Sequence, residues 1–301
     1  MPVRCKYVLC VVLTVAIPGN LYLMFSYMDV NLGPVTSTLQ ISGLCRSLLK
    51  EVRNDIVSNT TATATSTATS VTEWWQAAAL LYWSFVSPVE YQCKKMAGVG
   101  NWHVCQDEPY TVKPPCLVYS FGIANDFSFD DAMGTIGCEV HSFDPSMHKE
   151  DHKRSDRVTF HAMGLSGVDS DTFEARKDMY VKNRQLWKIR TLKTIMKELG
   201  HEHRVLDVLK IDVEGHEWAV VKNIMEDGLF KTIRQFYLEW HLFPDWPSKS
   251  SYVDLYELYT KLTQLGLTAF RKSPHPHNFN PQKFNIQGDN NYINLNFTRV
   301  A

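Results

Sequence analysis

Gly122 and Asp144 stand 22 residues apart, each at the end of an apolar run that reads as a β-strand. A glycine there lets the backbone approach a ligand closely and turn into a helix. An acidic residue about 20 residues after such a turn is placed to accept hydrogen bonds from the two hydroxyls of a ribose. The plainer readings are a tight turn for Gly122 and a turn or helix cap for Asp144. A third run ends in Lys210-Ile211-Asp212-Val213-Glu214-Gly215-His216-Glu217, the densest polar cluster at a strand end. Asp212 and Glu214 fall on one side if the strand runs that far, Gly215 permits a turn, and Glu217 favours a helix N-terminus. A fourth run ends in Glu239-Trp240-His241, whose acidic and imidazole groups would face Asp212 across neighbouring strand ends. Asp212, Glu239 and His241 are also plausible metal ligands, but no His or Cys pair has a recognised ligand spacing, so no metal is expected.

These positions need elements to hold them. Strands are expected over 116–123, 138–143, 158–163, 205–213 and 235–242, and helices over 127–136, 189–199, 216–225 and 252–265. Such alternation predicts an α/β fold, a doubly wound and mostly parallel sheet with helices on both faces. In such a sheet ligands bind beyond the carboxyl ends of the strands, where strand order switches. Strands at 268–272 and 292–297 have no clear helix between them and predict an antiparallel hairpin at the sheet edge. The apolar stretch 73–86, with Trp74 and Trp75, reads as a helix packed on the domain; the tryptophans could instead form a ligand wall.

Ahead of this domain (73–301) the chain reads as a cytosolic tail (1–6), a transmembrane helix acting as signal anchor (7–28) and a Ser/Thr-rich stem (29–72). Arg4 and Lys6 precede the uncharged stretch Tyr7–Met28, which is long enough to span a bilayer and oriented to leave the domain in the lumen. Pro18, Gly19 and Asn20 interrupt it, so a cleaved signal peptide is the rival reading. Ser58–Thr72 is almost pure Ser, Thr and Ala and reads as a glycosylated stalk. Asn59 and Asn296 begin N-glycosylation sequons. Seven cysteines allow disulfides in an oxidising lumen, with Cys93–Cys105 the best pair. The expected localisation is therefore a single-pass membrane protein of the Golgi or endoplasmic reticulum, or a secreted one. A net charge of -1 gives no sign of a nucleic-acid partner.

The segments VYSFGIANDFSFD (118–130), HSFDPS (141–146), VLKIDVEGHEW (208–218) and FYLEWH (236–241) resemble the FkbM-like branch of the class I methyltransferases. Together with the Cys93–Cys105 stretch they are similar to a metazoan group of methyltransferase-like proteins, over about residues 74–301. The resemblance implies a Rossmann-like sheet of seven strands and S-adenosylmethionine as methyl donor. It implies that Gly122 and its loop hold the methionine end, Asp144 the ribose, His161 to Met163 the adenine border, and that Asp212 closes the pocket. The pattern departs at Ser120, where an acidic residue is usual, and at Asn125 and Asp126, where a later glycine is replaced. Asp126 is the candidate for the missing carboxylate. A hydroxyl acceptor needs a base: His241 is the first candidate, with Asp212 orienting the acceptor, and Glu239 the second. The implied reaction is O-methylation of a glycan or secreted small molecule. The rivals are a luminal binding module of the same fold without catalysis, and a nicotinamide-dependent oxidoreductase, against which the missing G-x-G-x-x-G run argues.

Overall fold

A computed structural model describes residues 71–177, 181–275 and 285–298 with their side chains, and 13–17 and 20–24 by backbone. In the N-terminal unit, β1 (Leu13–Ile17) and β2 (Asn20–Met24) pair antiparallel. This differs from the single helix expected over 7–28. Pro18 lies between the strands in sequence; proline removes a helical donor and drives the preceding residue toward extended backbone. Among the described residues no helix is long and apolar enough to cross a membrane. The tail, the rest of the anchor, the stem as far as residue 70 and the Asn59 sequon lie outside the described residues.

From Val71 onward the chain forms one compact unit. Helix α1 (Trp74–Val86) opens on a capping box between Glu73 and Gln76. A hairpin follows, β3 (Met96–Val99) and β4 (Trp102–Cys105). The alternating part then runs β5 (Leu117–Phe121), α2 (Ser128–Ile136), β6 (Glu139–Phe143), β7 (His152–Lys153) and β8 (Val158–His161). It continues through β9 (Gly164–Leu165), β10 (Ser170–Glu174), β11 (Leu186–Arg190), α3 (Leu192–Glu198), β12 (Leu206–Ile211) and α4 (Glu217–Glu226). It closes with β13 (Ile233–Leu242), α5 (Tyr252–Gln264), β14 (Leu267–Pro274) and β15 (Ile286–Asn294).

The main sheet has eight strands in the order β14-β15-β13-β12-β5-β6-β8-β7. The five from β13 to β8 are parallel. The expected C-terminal hairpin is present, with β15 inserted antiparallel between β14 and β13. The eighth strand, beyond the seven expected, is β7, antiparallel to β8. A strand of two residues is too short to leave a period-two pattern. Strand order switches between β5 and β12: the chain leaves β5 toward β6 and β8, then returns on the other side.

Side chains alternate across the sheet. Tyr119, Phe121, Leu209 and Ile211 pack toward α1, α3, α4 and α5. Val118, Val140 and Val208 pack toward Phe129 and Met133 of α2 and Trp102 and Val104 of the hairpin. The packing reading of the first helix holds: Ala77, Leu81 and Phe85 are buried, and Phe85 stacks on Trp240.

A second sheet, β10-β11-β9, was not foreseen. The helix expected over 189–199 begins only at Leu192, where the Thr191 side chain accepts a hydrogen bond from the Thr194 amide. Residues 186–190 form β11 instead, in which Trp187-Lys188-Ile189-Arg190 alternate apolar with basic. The strand expected over 158–163 likewise stops at His161, and β9 leaves for the small sheet, pairing parallel with β11. Cys93 and Cys105 form the expected disulfide. A second one, Cys116–Cys138, joins the starts of β5 and β6, where Leu117 is in register with Glu139.

Candidate active site

The register sets the site. Phe121 is level with Ile211 on one side and Phe143 on the other, so the next residues, Gly122, Asp212 and Asp144, leave the sheet at one height. Ile211 is level with Leu238, which brings Glu239 to the same rim. At Gly122 φ is +72°, and an added Cβ would lie 1.5 Å from the Asp212 carbonyl oxygen. Only glycine fits between the two strand ends. Behind it, the buried Lys210 ammonium donates to the Phe121 and Gly122 carbonyls at 3.2 and 2.7 Å. The turn continues through Ala124 and Asn125, both at positive φ.

Asp144 holds this turn from the neighbouring strand. Its Oδ2 accepts from the Ala124 amide at 2.8 Å, while Oδ1 accepts from the Ser146 amide and hydroxyl at 2.8 and 2.6 Å. An ionised carboxylate offers about four acceptor positions, so one remains for a ligand. Gly122 and Asp144 line the same cleft, which encloses about 790 Å³ including its open mouth. Phe121 and Phe143 form an apolar floor, and Leu165, Trp187 and Ile189 of the small sheet form the opposite wall. Asp212 and Glu214 stand at the end nearest β12.

A second cleft adjoins the first, sharing Gly122, Ala124 and Asp212. It contains Lys210, Glu239 and Asp289, with Asn101 and Trp102 of the hairpin on one side. The hairpin is fixed there by Gln235, which accepts from the Cys105 amide and donates to its carbonyl, and by Trp102 stacking on Tyr237. Glu239 and Asp289 lie directly opposite on β13 and β15. Burial and the Glu239 charge push the Asp289 carboxyl up to about 6. Burial and Glu239 likewise push Asp212 well above its ordinary value. Burial alone would raise Glu239, but its hydrogen bond to His241 and the nearby positive charges outweigh it and hold it low.

His241 corrects an expectation. Its ring is closed to solvent and lines neither cleft. Nδ1 sits 2.9 Å from Glu217 Oε1, and Nε2 sits 3.4 Å from Glu239, 3.9 Å from Glu214 and 4.0 Å from Asp212. Desolvation lowers its affinity for a proton, but the surrounding carboxylates more than reverse this and raise the pKa well above the usual histidine value. A ring closed off from both clefts, its proton held more tightly than usual, is badly placed to serve as the base. Glu239, the second candidate, is ionised and opens onto the second cleft.

Three expected cofactor residues are also displaced. Ser120 is fully buried and donates to Asp130 Oδ2 at 3.4 Å instead of reaching a cleft. Asp126 reaches the rim of the second cleft, but its oxygens accept from the Ser128 amide and the Asn101 side chain, so it caps the start of α2. The carboxylate beside Ser120 is Asp130, also bonded to Ser142 and raised by burial. Met163 packs in the core, and the cleft wall at that place is Gly164 to Ser166. Lys210 and Asp130 are the site residues that strand-end reasoning missed. A charged residue inside an otherwise apolar strand or helix face was the available signal.

In an open parallel sheet ligands bind beyond the carboxyl ends of the strands at the switch point, where both clefts lie. The chain belongs to the methyltransferase-domain family, whose model matches residues 43–286. It is 32% identical over 182 residues to probable methyltransferase-like protein 24 of Rattus norvegicus, covering 56% of this chain and 47% of that protein. It is 31% identical over 182 residues to the protein of the same name from Homo sapiens, covering 56% and 46%. The chain thus spans about half the length of the curated relatives it matches. No solved structure matches it.

Proposed function

We propose that the protein transfers a methyl group from S-adenosylmethionine to a hydroxyl of a glycan or secreted small molecule. The observation that carries this reading is the continuity of the two clefts through Gly122 and Asp212. The first cleft suits a nucleoside: an apolar floor, a backbone turn that a Cβ would obstruct, and a carboxylate with one acceptor position left. Asp144 would hold the ribose there, and the turn after Gly122 the methionine end. When bound, S-adenosylmethionine supplies a methyl group activated by a sulfonium. Asp212, at the junction, faces both ligands.

The second cleft suits an acceptor rich in hydroxyls. Its carboxylates accept hydrogen bonds from such groups, and Trp102 offers an apolar side. Glu239, held ionised, takes the proton that an acceptor hydroxyl loses. Asp212, whose proton is held more tightly than usual by burial and by Glu239, orients the acceptor by a hydrogen bond. Lys210 fixes the carbonyls of the Gly122 turn. Alignment of two bound reactants is itself worth several orders of magnitude in rate.

The two disulfides support an oxidising compartment, in keeping with a luminal or extracellular domain. Titration of S-adenosylmethionine into wild type, Asp144→Ala and Glu239→Gln, followed by methyl transfer to a panel of oligosaccharides, tests the assignment. Asp144→Ala should bind at least about tenfold more weakly, the scale of one hydrogen bond to a charged group. Glu239→Gln should bind equally well and lose transfer. Equal affinity of wild type and Asp144→Ala would remove the ribose assignment.

A further inference from the structure

A separate polar cluster lies on the sheet outside both clefts. Glu139 and His141 are two residues apart on β6 and share a face. His201, in the turn after α3, meets them there. Glu139 Oε1 lies 3.1 Å from His141 Nε2 and 3.3 Å from His201 Nε2. One ligand atom from each of the three falls within 4.8 Å of the others. An ion with bonds of about 2.0–2.1 Å, arranged tetrahedrally, needs ligands roughly 3.3–3.5 Å apart.

The far side of each ring is engaged. His201 Nδ1 lies 2.7 Å from the Tyr119 hydroxyl, and His141 Nδ1 lies 2.9 Å from His161 Nε2. His161 Nδ1 in turn faces Asp151 at 3.5 Å. Ligating histidines are characteristically held this way through their second nitrogen.

Arg204 binds the other oxygen of Glu139 and fixes the carboxylate in place.

We propose that Glu139, His141 and His201 bind one divalent transition-metal ion of the zinc type, through Oε1 and the two Nε2 atoms, with solvent completing the shell on the exposed side of Glu139. The ion ties β6 to the turn after α3. On binding, His201 carries its proton on Nδ1, donated to Tyr119 Oη, and His141 carries its proton on Nδ1, donated to His161. No redox step is involved. The proposal stands apart from the methyl-transfer reading.

The test uses the full chain, stripped with a chelator, loaded with zinc or cobalt in a chelator-buffered solution, and desalted. Wild type should retain close to one metal per chain and show the visible absorption of four-coordinate cobalt, bleached by one equivalent of zinc. His141→Ala and His201→Ala should retain less than a tenth of that, and exposed His203→Ala should retain it all. Tyr119→Phe should weaken binding by about tenfold. A wild-type chain that holds no stoichiometric metal overturns the proposal without recourse to any variant. So does loss of the metal in His241→Gln with retention in His201→Ala, which would move the ion to the cluster at Asp212 and Glu217.

Discussion

His241 Nδ1 and Glu217 Oε1 lie 2.9 Å apart with both side chains closed to solvent. Glu217 uses the same oxygen to accept from the Val213 amide, so it ties the end of β12 to β13. The pair is buried. Removing one partner leaves a buried polar atom without its hydrogen bond, which costs about 1–3 kcal/mol. Glu217→Ala should destabilise the domain by that amount in urea denaturation.

The same pair sets a pH dependence. The folded-state pKa of His241 is raised above its ordinary value of 6.5. Its contribution to stability is therefore fully present below that value and is lost as pH rises through the raised folded value. The difference in unfolding free energy between wild type and His241→Gln should narrow as the pH is taken from 6 into the alkaline range, with 6 chosen at roughly the unfolded histidine pKa. A constant difference would show that the ring is neutral.

Asp289 acts with the same sign at lower pH. Its carboxyl is raised from 3.8 to about 6 by burial and by Glu239. The folded state then binds a proton more tightly than the unfolded one, so stability falls as pH rises from 3.8 to about 6. Asp289→Asn should be more stable than wild type above that window, by on the order of 1–3 kcal/mol, and equal to it below. Denaturant midpoints at the two ends of the window measure this.

Gly122→Ala should remove cofactor binding. The added methyl would meet the Asp212 carbonyl at 1.5 Å, at a φ of +72° that alanine resists. A loss of more than about 1 kcal/mol in stability should accompany it. Unchanged binding in a calorimetric titration would mean that the turn is not part of the donor site.

The Cys116–Cys138 bridge closes a loop with a sequence separation of 22. Loops of this size are stabilised by about 3 kcal/mol when cross-linked. Cys116→Ser/Cys138→Ser should lower the unfolding free energy by about 2–4 kcal/mol, measured with the other bridge intact.

Much of this was legible in the residues. The apolar runs placed β5, β6, β12 and β13 within a few residues, because buried parallel strands leave nearly continuous apolar segments. The Gly122–Asp144 spacing pointed to one cleft, since both end adjacent strands. What the sequence hid was set by distant partners. His241 read as a base because nothing in the Glu-Trp-His run shows Glu217 coming from the preceding helix to bond it. Ser120 read as a cofactor residue because Asp130, ten residues on, gave no sign of folding back beneath it. The small sheet escaped notice because its strands are two to five residues long. The Cys116–Cys138 bridge follows from strand register, which no local pattern reveals.

The central claim is that the cleft between Gly122 and Asp144 takes a nucleoside. Isothermal calorimetry of the purified chain with S-adenosylmethionine and its demethylated product measures this most directly. The account expects saturable binding of one ligand per chain, lost in Gly122→Ala and weakened in Asp144→Ala. Absence of heat at millimolar ligand, with the wild-type chain folded, would contradict it.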